Sequence, residues 1–353
     1  MTLTRRTVLA TAASLSIPYI FTSARSVRAQ STTRKTFALH IGIDQVGPQY
    51  PAGVAKLNGC VKDAETYFAI TGQQKFGKRS LLRNQQATVL EVRRWILGAA
   101  QRLVGGDVFL VTYAGHGGSL PDKNGDEPDG RDETWCLYDR QFRDDELYAL
   151  WAQFDAGVKI VVISDSCHSG TVAREAVETE NLAREIQDPE SAASRAFAPV
   201  GAGDGARGVG SRSVGDLVAL IGGQARSRGA EADQSVPQPR AITEEVAQQD
   251  YDSRPREYQT EPSSRVGETG REVPATGILL AGCQDAQLSW EQNGQGMFTN
   301  QLNKAFRAGT GLNNYSAFMA AIKQSMPANQ TPNFFPFGTP GDEFYLKEPP
   351  FTV

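Results

Sequence analysis

Histidine and cysteine are scarce in this chain, with three of one and four of the other among 353 residues. None of them forms a Cys-x-x-Cys or His-x-x-x-His pair, so the common structural zinc and helix-borne metal sites are excluded. A formal net charge of −4 gives no basic surplus, and nucleic acid is not expected as a partner. Gly115-His116-Gly117-Gly118 lacks the Lys-Ser/Thr pair and helix start of a phosphate-binding loop. Cys60, Cys136, Cys167 and Cys283 are too widely spaced for a disulfide-dense scaffold and are expected as free thiols. The scarcity is useful: chemistry built on thiols or imidazoles has few residues to choose from.

Long apolar runs are also missing. The longest near the start, Val8 to Phe21, is broken by Ser14, Ser16 and Pro18 and is too short to span a bilayer comfortably. It follows Arg5-Arg6 and precedes Val27-Arg28-Ala29, the small-x-small form that a signal peptidase accepts. Residues 1–29 therefore read as a twin-arginine export signal. The expectation is a periplasmic or otherwise extracytoplasmic protein, folded before export and without stable membrane insertion.

The remainder alternates apolar and amphipathic runs. Phe37–Ile43, Asp107–Tyr113, Val158–Ile163 and Thr276–Ala281 read as buried strands, and Ser80–Leu82 as a brief one. Cys60–Ile70, Ala87–Val104, Asp144–Phe154, Phe298–Ala308 and Tyr315–Met326 have helical spacing. In Ala87–Val104 the inner stripe is expected to be Leu90, Val92, Trp95, Ile96 and Ala99. Near-continuous apolar strands alternating with helices predict an α/β fold, a mostly parallel central sheet covered by helices on both faces. Between 173 and 275 apolar periodicity disappears, apart from Val214 to Ile221, and Arg, Glu, Gln, Ser, Gly and Pro dominate. That composition predicts a mobile linker or insertion. The Thr331–Phe344 tail contains one further expected strand.

Two consecutive strands end in polar, glycine-flanked tips. One carries His116 within Ala114-Gly115-His116-Gly117, the other Cys167 within Asp165-Ser166-Cys167-His168-Ser169-Gly170. Catalytic groups of open parallel sheets gather at the carboxyl ends of strands, so neighbouring strands would set an imidazole beside a thiol. A thiol is only a few per cent ionised near neutral pH, and a histidine is what promotes its attack and returns the proton. The amides of Gly117 and Cys167 are the candidate oxyanion donors. Taken singly, a buried cysteine is a small core residue and a buried histidine a satisfied polar group; their shared placement argues for chemistry.

These motifs resemble the two catalytic motifs of the metacaspases, caspase-like cysteine peptidases. The resemblance extends to Gly59-Cys60-Val61-Lys62-Asp63-Ala64, Gly125-Asp126-Glu127-Pro128-Asp129-Gly130, Leu280-Ala281-Gly282-Cys283-Gln284-Asp285 and Gly296-Met297-Phe298-Thr299. It implies a caspase-like three-layer α/β/α sandwich, with a large-subunit-like region at 36–172 and a small-subunit-like region at 276–348 completing the same domain. It assigns the dyad to His116 and Cys167 rather than His168; His40 reads as structural.

The resemblance further implies endopeptidase action on protein or peptide substrates after Arg or Lys. The primary pocket would be formed by Asp63 and Asp165 with Cys60, Ala114 and Asp285. Two carboxylates at one cleft suit a guanidinium physically. Ala114 replaces a serine common in the family, which removes one pocket hydrogen bond. No cofactor is required for the chemistry. Calcium activation through Asp132, Asp144 and Asp145 is implied by many relatives, but Arg174 stands where some carry an acid, and Asp144-Asp145-Glu146 also suits a helix start. The many arginines between 173 and 275 make that segment a candidate self-cleavage substrate. A monomer is the family default. The alternative is a catalytically silent caspase-like interaction or scaffold domain.

Overall fold

The computed structural model describes residues 33–122, 130–167, 234–235, 237–259, 273–284, 287–340 and 343–353. The export signal, His168, Arg174, Asp285, residues 125–129 and the 214–221 patch lie outside the described residues. With strands numbered in chain order, β1 (Thr36–Gly42), β2 (Lys78–Arg83), β3 (Val108–Ala114), β7 (Lys159–Asp165), β9 (Thr276–Ala281) and β12 (Asn333–Gly338) build a six-stranded sheet. Its order is β12-β9-β7-β3-β1-β2, parallel throughout except for β12, which runs antiparallel along β9. The mostly parallel sheet is the one the continuous apolar runs predict.

Those runs are apolar on both faces because both faces are covered. In β3, Phe109, Val111 and Tyr113 join a core with Val92, Ile96 and Trp151, while Val108 and Leu110 join one with Tyr67, Phe298 and Phe318. The first core brings in α2 (Val89–Ala100) and α3 (Asp144–Trp151). The second brings in α1 (Cys60–Gln73), together with two helices of the C-terminal part, Met297–Ala308 and Tyr315–Gln324. The expected inner stripe of α2 needs one correction. Leu90 is exposed, and the buried row is Val89, Val92, Ile96 and Ala99, which keeps helical spacing where Leu90 falls between rows.

Two smaller sheets sit at the carboxyl edge of the large one. β4 (Gly117–Pro121), β5 (Arg131–Cys136) and β6 (Gln141–Arg143) form an antiparallel meander, and β8 (Gln238–Pro239) pairs with β10 (Trp290–Gln292), which pairs with β11 (Gln295–Gly296).

Residues 237–259 depart from the linker expected across 173–275. They form β8, α4 (Glu244–Ser253) and α5 (Pro255–Gln259). Ile242, Ala247, Tyr251 and Tyr258, with half-buried Val246, pack with Tyr50, Leu120 and Cys136, apolar anchors too sparse for a periodic signal. The rest of the hold is polar. Buried Asp250 accepts from Gln141 Nε2 at 3.1 Å and Tyr258 OH at 2.5 Å and pairs with Arg254. The two remaining C-terminal helices above are α6 (Met297–Ala308) and α7 (Tyr315–Gln324), and α8 (Phe344–Lys347) closes the fold.

Candidate active site

β3 and β7 are neighbours in parallel register, with Ala114 opposite Asp165. His116 and Cys167 each lie two residues beyond that rung, so the sheet itself sets the two strand tips side by side. The His116 carbonyl accepts from Tyr113 OH at 2.6 Å and from the Cys136 amide at 3.0 Å, which fixes the backbone at this point. Its Nε2 lies 2.7 Å from the Ala55 carbonyl oxygen, a group that can only accept, so Nε2 carries a hydrogen. In the neutral ring Nδ1 is then the basic nitrogen, and among the described residues it makes no hydrogen bond of good geometry, with the Ala241 backbone beside the ring. Burial pushes the imidazole down to about 4, so at neutral pH it is the uncharged base.

Cys167 Sγ accepts from the Ser289 amide at 3.0 Å rather than bonding to Nδ1. Gly117 is required here by close approach: a Cβ on it would land 1.8 Å from the Cys167 carbonyl oxygen. His40 bonds Thr112 of β3 and Thr71 of α1 between sheet and helix, where burial lowers its pKa to about 3, as a structural histidine should.

The cleft between these tips is filled by the chain's own Arg240. Its carbonyl oxygen accepts from the Gly117 amide at 2.9 Å and the Cys167 amide at 3.2 Å. Its amide donates to the Ser289 carbonyl at 2.9 Å, extending the β8–β10 pairing of Pro239 with Trp290. On the other side the Ile242 amide donates to the Gly117 carbonyl at 2.9 Å, with Ala241 bridged in parallel to Gly117. Residues 238–242 are thus an extended strand held by backbone bonds on two edges, as peptides are held by sheet-edge addition.

The Arg240 side chain is fully buried. Its Nη2 lies 2.5 Å from Asp63 Oδ2 and 3.4 Å from Glu291 Oε2, and its Nη1 lies 3.1 Å from Asp165 Oδ2. Asp63 comes from the first turn of α1, whose start is capped by Asp44 accepting from the Cys60 and Val61 amides at 2.8 and 3.1 Å. Asp165 ends β7 and is steered by Ser289 Oγ at 2.7 Å and Thr299 Oγ1 at 2.6 Å. Burial lifts Asp63 to about 7 against the pull of Arg240, while the carboxylates around it hold Arg240 well above its usual range. Cys60 and Ala114 pack together with Leu57 beside this pocket, and burial raises the Cys60 thiol.

Glu291 is the acid that the sequence reading missed. It also accepts from the Asn58 amide at 2.7 Å and the Gly59 amide at 3.2 Å, which ties β10 to the start of α1. Its sequence signal was faint, since Trp290-Glu291-Gln292 is an unremarkable short run far from the other two acids. An arginine clasped by three buried carboxylates, with its carbonyl accepting from two amides, thus sets the Arg240–Ala241 bond at the end of β7, where Gly117 and Cys167 meet it.

Asp132, Asp144 and Asp145 lie apart from this cleft, on β5 and at the start of α3. Asp144 accepts from the Glu133 amide at 3.3 Å and the Asp145 amide at 3.0 Å, and Asp132 faces Arg143 at 3.5 Å. Burial and the two neighbouring carboxylates push Asp132 up to about 8. Among the described residues no three His, Cys, Asp or Glu side chains converge on one metal position. Among them, too, no helix is long and apolar enough to cross a membrane.

Known proteins similar to this chain share the caspase-like character of the fold. The chain is 31% identical over 157 residues to Metacaspase-4 of Arabidopsis thaliana, covering 41% of this chain and 38% of the relative. It is 31% identical over 222 residues to Metacaspase-1B of Aspergillus oryzae, covering 56% and 50%. The chain thus spans about half or less of the length of these curated relatives. A crystal structure of a Geobacter sulfurreducens protein superposes with a TM-score of 0.64 at 35% identity, covering 90% of this chain and 99% of that one. Residues 35–339 match the Caspase domain family of peptidases, and the chain belongs to that family.

Proposed function

We propose that the protein is a cysteine endopeptidase that cuts after arginine or lysine and processes itself between Arg240 and Ala241. The observation that carries this reading is Arg240 itself, seated as a substrate residue would be. In the reaction His116 Nδ1 takes the proton of Cys167 Sγ, and the thiolate attacks the carbonyl carbon before the cut. The Gly117 and Cys167 amides stabilise the oxyanion. Collapse breaks the C–N bond as His116 returns the proton to the leaving nitrogen, and water then hydrolyses the thioester through the same base. The thiol must first turn from Ser289 toward Nδ1.

Asp63, Asp165 and Glu291 supply the preference for a cation, and arginine engages two of them through separate nitrogens. The test is hydrolysis of Arg-, Lys- and Asp-ending fluorogenic peptides by the full-length chain. Arg above Lys, with Asp at least about 100-fold slower, is expected. Cleavage after Asp instead overturns the pocket assignment, and no cleavage under any condition supports the scaffold alternative.

Calcium is proposed as a modulator outside the chemistry. Asp132, Asp144 and Asp145 offer hard oxygens, and Asp132 is raised by its two neighbouring carboxylates even with Arg143 beside it. Asp132 is raised from the carboxylate range to about 8 in the fold, so its contribution to stability is full below pH 4 and lost as pH rises toward 8. Asp132→Asn should therefore flatten the fall in melting temperature between pH 4 and 8. Millimolar calcium should raise the melting point of the parent chain at pH 8 and leave the variant unmoved. An equal calcium shift in both sinks this assignment.

A further inference from the structure

Residues 241 and 242, beyond the bond presented to the dyad, are held as specifically as Arg240. Ala241 packs in a small apolar cluster with Cys167, Leu288 and Trp290 and is only 5% exposed. That enclosure leaves little room for a longer side chain. Ile242 is 6% exposed and joins Tyr50, Leu120 and Cys136 of the catalytic body in another apolar cluster. Its side chain lies over Gly118, where an added Cβ would stand 3.0 Å from both Ile242 Cδ1 and Cγ1. Gly118 follows Gly117 on β4, so the same two-residue stretch donates to the carbonyl before the cut, accepts from the amide two residues after it, and opens space for the side chain there.

We infer that the cleft reads two residues beyond the cut, so that its substrates carry a small residue immediately after the arginine and an aliphatic one next. Gly118 is the specificity-determining residue for the second of these. The inference rests on the peptidase reading above. It adds a constraint that the primary pocket does not impose: an exposed arginine followed by bulky or charged residues is a poor substrate. A charge in the second position would be buried without a partner, which such a site rejects strongly.

The test compares three peptides that share Gln-Pro-Arg before the cut and differ after it, in Ala-Ile, Ala-Asp and Leu-Ile. Each is given to the full-length chain and to Arg240→Ala, whose primary pocket is not filled from within. The Ala-Asp and Leu-Ile peptides are expected to show kcat/KM lower by about 10-fold or more than Ala-Ile. Rates within twofold of one another overturn the inference and leave the peptidase reading standing. Absence of cleavage by both proteins overturns the peptidase reading instead.

Gly118→Ala gives an independent check. It should lower the rate on the Ala-Ile peptide while sparing one with Ala-Gly, and an unchanged ratio between the two counts against the assignment. The added methyl also approaches Gln141 Oε1 at 2.7 Å. If that variant does not fold, the peptide series on the unsubstituted Gly118 decides.

Discussion

Cys167→Ala should abolish peptide cleavage, by roughly 10⁴-fold or more, and leave the purified chain whole. The thiol stands just past the end of β7, and the Arg240 carbonyl beside it already sits on the Gly117 and Cys167 amides. Alanine keeps those amides, so the oxyanion donors remain while the attacking atom is gone. Cys167 Sγ accepts from the Ser289 amide and donates weakly to the Ser289 carbonyl at 3.5 Å, a small loss, and the melting temperature should stay within about 3 °C. His116→Ala should cost a comparable factor for a different reason, because Nδ1 supplies the base and the acid in turn. The parent should keep its activity well below pH 6, since burial holds the imidazole neutral down to about 4. Loss of activity on acidification with a midpoint near an ordinary histidine's 6.5 would contradict the buried base, and a fully active Cys167→Ala would refute the mechanism.

How far the sequence could announce this site depends on how local each part is. The meeting of the His116 and Cys167 strand tips was legible because two apolar strands end in distinctive tips, and strand adjacency in a parallel sheet turns sequence order into spatial order. Asp63 and Asp165 were legible through motifs. Glu291 was not, because its role arises only when β10 folds back against the start of α1, a pairing made over more than 200 residues. The ordered stretch 237–259 was hidden for a related reason. Its hold on the body runs through Asp250, Gln141 and Tyr258, polar contacts with partners far away in sequence, and polar residues there read as solvated linker. Leu90 marks the opposite error, an apolar residue that periodicity drew inward although the helix turns it to solvent.

Arg240→Ala should stop cleavage at the bond before Ala241 and at the same time open the primary pocket to external substrates. The guanidinium is fully buried among Asp63, Asp165 and Glu291, so its removal deletes the feature that seats residues 238–242 in register. Mass spectrometry should find no fragment ending at residue 240, and Arg240→Lys should restore the cut at a lower rate, since one ammonium cannot engage two carboxylates as a planar fork does. Arginyl peptides should be hydrolysed by Arg240→Ala without the lag that a self-filled cleft imposes on the parent. The substitution also leaves three carboxylates facing one cavity. Asp63 lies at about 7 with the arginine present and rises further without it, so the variant should lose stability as pH climbs through and beyond 7. Millimolar guanidinium or benzamidinium, small cations of the missing shape, should recover part of that loss and compete with arginyl peptides. A variant still cut between residues 240 and 241 would show that Arg240 does not direct the cleavage. A variant indifferent to both pH and guanidinium would show that the three acids do not form a cation pocket.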